Sequence, residues 1–160
     1  MYQTQDKILP LDKAQRRINA WRVRSEVIVF TNGCFDLLHL GHVDYLEQAA
    51  REGERLVVGL NSDASVRRLK GAERPVQDEQ SRARILAALE FVDMVVIFEE
   101  DTPEALIEAL APDVLVKGAE YAEDQIVGAG FVISRGGKLV RIPMLEGNSS
   151  SALIEKLKQL

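Results

Sequence analysis

Five short apolar runs recur along the chain at a regular beat: EVIVF at 26–30, RLVVGL at 55–60, MVVIF at 94–98, VLVKG at 114–118 and KLVRIP at 138–143. Each is rich in Val, Ile and Leu. Runs with so little alternation suit strands covered on both faces, as in a parallel sheet. Between them the apolar positions take up helical spacing. HVDYLEQAARE, from His42, sets Val43, Leu46, Ala49 and Ala50 on one face. EQSRARILAALEF, from Glu79, does the same with Ile85, Leu86 and Leu89. In TPEALIEAL, Thr102 is expected to cap a helix whose first position is Pro103, where a missing N–H costs nothing. Gly136 and Gly137 are expected to end a helix and turn the chain into the last strand, and Ser149 or Ser150 to cap a closing helix over ALIEKLKQL. Strands alternating with helices predict an α/β sandwich on a mostly parallel five-stranded sheet.

The opening MYQTQDKILPLDKAQ is polar and mixed in charge. It reads as a mobile lead-in followed by a surface helix, together covering residues 1–25 of a single domain spanning 1–160. No internal repeat or low-complexity tract interrupts the pattern. The longest stretch of loop composition is LKGAERPVQDE at 69–79, and long loops in compact domains are often functional.

Composition narrows the function classes. A chain of 160 residues that is 46% hydrophobic and 28% charged matches one globular domain with a proper core. Its formal net charge of −5 argues against general nucleic-acid binding, while leaving room for a local basic pocket. One cysteine cannot form an internal disulfide, which fits a reducing, cytoplasmic setting. No apolar run is long enough to cross a bilayer and no signal-peptide pattern is present, so no membrane partner is expected.

The chemistry concentrates in VFTNGCFDLLHLGHVDYL, residues 29–46. Both histidines of the chain lie here, three residues apart, with Gly41 between them and Cys34 just upstream. Ligands of an open α/β sheet bind outside the carboxyl ends of its strands, and this stretch is a strand, a turn and a helix start. Unpaired N–H groups and the helix dipole attract anions there. His39 and His42 can face one direction, and Gly41 is expected to let a phosphate approach the backbone closely. Other readings stand beside this one. The pair could belong to a metal site, but zinc normally takes three or four protein ligands, and carboxylates would have to complete the set. Cys34 could pair with a histidine as a nucleophile, or be a small buried residue at a tight turn. Neither a P-loop string nor G-x-G-x-x-G occurs.

The string TNGCFDLLHLGH resembles the H-x-G-H signature of the nucleotidyltransferase superfamily and its cytidylyltransferase-like branch. The likeness extends from about Lys7 onward through LNSDASVRRLKGAERPV, DVLVKGAEY, IVGAGFV and EGNSSSALI. These segments are similar to the adenylyltransferases of bacterial ADP-heptose and lipopolysaccharide core synthesis, which act on D-glycero-β-D-manno-heptose 1-phosphate. The resemblance implies a Rossmann-like three-layer fold and transfer of AMP from ATP to a sugar phosphate, with loss of pyrophosphate. It further implies Mg²⁺ carried with the triphosphate, a homodimer and, in the stand-alone form, a separate heptose kinase as partner.

The resemblance also assigns roles. His39, His42 and Lys70 match catalytic positions, with the histidines on the transferring phosphoryl group and Lys70 reaching the phosphates from the loop after the second strand. Thr31 and the turn Asn32–Gly33–Cys34–Phe35 match the nucleotide-contacting loop, with Gly41 behind it. Lys117 and Gly118 end the fourth strand at the nucleotide edge, and Ser149, Ser150 and Ser151 match a serine and threonine motif that meets the β- and γ-phosphates, or simply cap the helix. For the acceptor, Asn61, Arg82, Glu120 and Tyr121 are expected, with Arg74 a lesser match than Arg82 and Arg84 a solvated helix residue. Asp36 orients the acceptor or stabilises its own turn, and Asp63 borders the site or caps a helix. Met144 and Ala152 stand where some relatives carry basic residues. Two alternatives remain open: a cytidylyltransferase using CTP and glycerol 3-phosphate or another small polyol phosphate, and a nucleotide sensor without chemistry.

Overall fold

The computed structural model describes residues 3–160. All five apolar runs become strands: β1 (Ile28–Gly33), β2 (Arg55–Asn61), β3 (Met94–Phe98), β4 (Val114–Gly118) and β5 (Lys138–Ile142). They form one sheet in the order β3-β2-β1-β4-β5, every pair parallel. β1 starts two residues later than the sequence suggests. Val27 spends its N–H on the Glu54 carboxylate, and the ladder with β2 begins at Ile28 and runs through to Gly33.

Among the described residues there are seven α-helices: α1 (Leu11–Val23), α2 (Leu40–Ala50), α3 (Asp63–Lys70), α4 (Glu79–Ala88), α5 (Glu104–Leu110), α6 (Ala129–Ser134) and α7 (Ser150–Lys158). Side chains alternate across each strand, so each face of the sheet has its own core. Phe30, Val57 and Leu115 pack against α1, α5 and α6. Val29, Val58, Val114 and Val116 pack against α2 and α4. The result is the three-layer Rossmann-like arrangement, both of whose cores are fully buried.

Several local expectations change. The face of α4 is Ala83, Leu86 and Ala87, with Ile85 38% exposed, because the helix is rotated to bring Arg82 inward. Thr102 makes no cap bond, and Pro103 itself holds the cap position of α5. The loop foreseen at 69–79 shortens, since α3 runs to Lys70 from a Ser62 cap whose hydroxyl accepts from Ser65 N–H at 3.1 Å. The amino-terminal lead-in is packed from Thr4 on. A 3-10 turn covers Thr4–Lys7, Lys7 Nζ donates to Leu89 O, and Ile8 bridges Val95 in parallel. Met1 and Tyr2 lie outside the described residues. No helix among the described residues is long and apolar enough to cross a membrane.

The strand order places the functional surface. From β1 the chain winds toward β2 and β3, and from β4 it winds the opposite way to β5. The carboxyl ends of the neighbouring strands β1 and β4 therefore flank a topological switch point, where crossovers diverge and leave a crevice. A cleft of about 1030 Å³ opens there.

Candidate active site

β1 delivers the chain into the cleft at Gly33. Phe35 follows with a left-handed φ of 45°, and α2 then starts at the histidine turn. His39 is the N-cap of α2, a place more often held by Ser, Thr, Asp or Asn. Its Nδ1 accepts from His42 N–H at 3.3 Å. In the neutral ring the proton therefore sits on Nε2, which is left to donate. The two imidazoles stack, with centroids 3.8 Å apart and planes at 20°. Phe35 meets His42 edge-on at 5.2 Å.

Burial lowers the pKa of His42 to about 4, with His39 adding to the effect and a contact with the Leu37 backbone opposing it, and burial also lowers that of His39. Both rings are therefore neutral near pH 7 in the empty cleft. His42 Nδ1 is buried and makes no hydrogen bond, as does Asn32 Oδ1 at the end of β1. Buried polar atoms are rarely left so.

The cleft gathers much of the expected site. Asn32, Gly33, Cys34 and Phe35 line it from β1, His39 and His42 from α2, and Asn61 from β2. Lys117, Gly118, Glu120 and Tyr121 line it from β4, as do Ser149, Ser150 and Ser151 from the start of α7. Lys70 also reaches it, from the last turn of α3 rather than from a loop. Burial raises the pKa of the Cys34 thiol, although Lys70, Arg82 and Arg74 pull the other way, so a thiolate nucleophile is disfavoured. The Ser149 hydroxyl accepts from Ala152 N–H and caps α7, while Ser150 Oγ donates to Leu37 O and ties α7 to the histidine turn. This leaves their backbone N–H groups, more than their hydroxyls, to face an anion.

Four expected residues do not face the cleft. Thr31 is fully buried, and its hydroxyl is engaged by Tyr45 Oη at 2.8 Å. Gly41 has no room for a phosphate beside it. A Cβ there would lie 3.0 Å from the His39 ring and from Asn148 Cβ, so the glycine makes space for the imidazole and the α7 approach. Arg82 is 1% exposed, and its guanidinium donates to the carbonyls of Cys34, Asn61 and Gln77 and to Asp63 Oδ1 at 2.7 Å. Asp63 is thereby drawn into the same network, and the cap of α3 is Ser62.

Asp36 borders the cleft but is consumed locally. Its carboxylate accepts from Arg74 Nε at 2.7 Å, Val76 N–H at 2.9 Å and Gln77 N–H at 3.0 Å. Burial pushes its pKa up, but these bonds outweigh that and hold it below the ordinary range. Asp36 does not brace its own turn but lashes the 74–77 loop to the end of β1. Arg74, the lesser match by sequence, is the arginine that lines the cleft, and Arg84 stays exposed. Sequence reasoning missed Thr102, Gln125 and Asn148, which also line the cleft. No spacing signal sets them apart from ordinary loop residues. Among the described residues no group of three His, Cys, Asp or Glu side chains is placed to hold a metal ion.

Comparison with known proteins bears on this geometry. The family model described as cytidylyltransferase-like matches residues 30–152, from the middle of β1 into α7. The bifunctional protein HldE of Magnetococcus marinus is 54% identical over 156 residues, which are 98% of this chain and 32% of that protein. HldE of Methylobacillus flagellatus is 57% identical over 152 residues, 95% of this chain and 31% of that one. The chain thus spans about a third of the length of the curated relatives it matches. Among solved structures, the lipopolysaccharide core biosynthesis protein of Thermoplasma volcanium superposes with a TM-score of 0.64 at 30% identity, covering 76% of this chain and 99% of that one. Pantoate-β-alanine ligase of Francisella tularensis superposes with a TM-score of 0.59 at 15% identity, covering 96% of this chain and 79% of that one, a likeness of fold alone.

Proposed function

Because the chain belongs to the cytidylyltransferase-like family and is by that membership a nucleotidyltransferase, we propose that it transfers AMP from ATP to a heptose 1-phosphate, forming ADP-heptose and pyrophosphate. The observation that carries the chemistry is the stacked, neutral histidine pair at the start of α2, with His42 Nδ1 buried and unpartnered. The observation that favours heptose and ATP is the identity of 54% and 57% to proteins named HldE.

An oxygen of the acceptor phosphate attacks the α-phosphorus in line. The new O–P bond forms as the bond to the β-phosphate oxygen breaks, and pyrophosphate leaves with that electron pair. The acceptor is already ionised at neutral pH, so no general base is needed, and the protein works by positioning and charge stabilisation. His39 Nε2–H donates to an α-phosphoryl oxygen. Phosphate charge raises the proton affinity of both rings, so the pair takes on positive charge only once the triphosphate is bound. Lys70 adds charge from the end of α3. The N–H groups at the start of α7 receive the β- and γ-phosphates.

Mg²⁺ bound with the triphosphate would supply charge neutralisation across the phosphates. The donor set of the cleft fits an ion held mainly by phosphate oxygens and water. Asp36 is taken up by Arg74 and backbone N–H groups and Asp101 by Arg68, which leaves Glu120 as the carboxylate at the cleft with no bonded partner among the described residues to meet it.

The test is pyrophosphate release with Mg²⁺, crossing ATP and CTP against heptose 1-phosphate and glycerol 3-phosphate. Release with ATP and heptose 1-phosphate alone is expected. Release only with CTP and glycerol 3-phosphate would keep the chemistry and overturn the substrates, and nucleotide binding with no release in any pairing would favour a sensor.

A further inference from the structure

The cleft has two sides, set by the faces of the sheet. The histidine turn and the start of α7 belong to the α2 side: Ser150 Oγ binds Leu37 O, and Asn148 packs on Gly41. The other side belongs to α5 and α6. Leu115 points into that layer from β4 and Phe30 from β1. Strand alternation puts Lys117 and Asn32, each two residues further on, on that same face. The register Phe30↔Leu115, continued by two residues, brings Asn32 beside Lys117.

Lys117 has Glu120 near it but makes no ion pair or hydrogen bond with a carboxylate among the described residues. It is half-buried, and its ammonium stands 5.1 Å from the Tyr121 ring centroid. Burial lowers its pKa, with only partial compensation from Glu120. Holding an ammonium there costs free energy that a bound anion would offset. Its neighbour Asn32 offers the mirror deficit, a buried carbonyl oxygen with no donor.

In-line transfer requires the attacking and leaving oxygens to lie on opposite sides of the α-phosphorus. The proposed seat of the leaving pyrophosphate is at the start of α7, on the α2 side. The attacking phosphate must then come from the α5 and α6 side, where Lys117 stands. We propose that Lys117 binds the phosphate of the acceptor rather than the nucleotide. This rests on the nucleotidyltransferase reading and moves Lys117 from the nucleotide to the acceptor. The chemical class is a polyhydroxylated sugar 1-phosphate. Thr102 and Gln125, which lead into α5 and α6 and line the same side of the cleft, present a hydroxyl and an amide to its ring.

The experiment is calorimetric titration of wild type, Lys117→Gln and Lys117→Arg with heptose 1-phosphate and, separately, with ATP and Mg²⁺, alongside pyrophosphate release. Loss of one charge-assisted contact predicts an acceptor Kd raised about ten- to a hundredfold in Lys117→Gln. ATP affinity is expected to stay within about threefold, and Lys117→Arg to recover part of the loss. Loss of ATP affinity equal to that of the acceptor overturns the inference. So does unchanged acceptor affinity, or a wild type that binds no heptose 1-phosphate. The two readings fail separately. Binding through Lys117 without pyrophosphate release would sustain the inference and remove the transfer reaction, whereas release with an unchanged acceptor KM in Lys117→Gln would do the reverse.

Discussion

Two polar clusters border the same cleft and are built on opposite terms. At the histidine turn, His42 Nδ1 and, close by, Asn32 Oδ1 are buried with no partner. In the arginine clamp, Arg82 places its donors on three carbonyls and Asp63, and Asp36 receives Arg74 and two backbone N–H groups. Both hold charged or titratable side chains that a sequence reading would assign to a ligand. The difference is satisfaction. A buried polar group with every partner in place fixes the backbone around it, and one without a partner adds no such tie. The clamp therefore shapes the turn, and the turn meets the phosphate.

The largest effect should come from removing the centre of the clamp. Arg82→Ala leaves Asp63 and three carbonyls, one of them buried, without their donor and is expected to cost about 3 kcal/mol of stability, read by urea unfolding. A near-native midpoint would show that the clamp is not structural and return Arg82 to the list of ligand contacts. The matching change at the turn is His39→Ala. It should lower kcat about a hundred- to a thousandfold, the usual loss for a transition-state donor. The urea midpoint should move far less than for Arg82→Ala. A folded variant with near-normal turnover would remove the histidine pair from the chemistry.

Acid sharpens the contrast. The folded pKa of His42 is depressed to about 4 from an ordinary value of 6.5. Between these values the unfolded chain binds the proton more readily, so stability falls as pH drops through that window and is insensitive to this group above it. His42→Gln should flatten that part of a stability–pH curve. An unchanged slope would place the acid sensitivity elsewhere. The smallest effect is expected at Ser149→Ala, which removes the α7 cap and should cost about 1 kcal/mol. Turnover should change little if the backbone N–H groups, not the hydroxyl, meet the phosphates, and a large loss of kcat would reassign the hydroxyl to the ligand.

Much was legible along the chain because it is carried by local periodicity. The runs at 94–98 and 114–118 coincide with β3 and β4, since a strand buried on both faces is apolar over most of its length. The histidine turn was legible because its residues are contiguous. Its internal geometry was not: nothing in the spacing of His39 and His42 says that one ring caps the helix against the other's N–H. Gly41 shows the same limit. The need for a small residue was visible, but the atoms that require it belong to His39 and to Asn148, more than a hundred residues away.

By itself the sequence determined the sheet, the alternation of helices and the turn on which chemistry is carried, because each depends on neighbours within a few residues. Only the tertiary structure decided the fate of the charges. Arg82 and Arg74 are both arginines near one loop, yet one is buried in carbonyls from three segments while the other lines the cleft. Lys117 ends an apolar run, and its place at the cleft depends on which strands flank it. Whether a charge is paired is a property of contacts between distant segments, and those contacts exist only once the crossovers have brought β1 and β4 side by side.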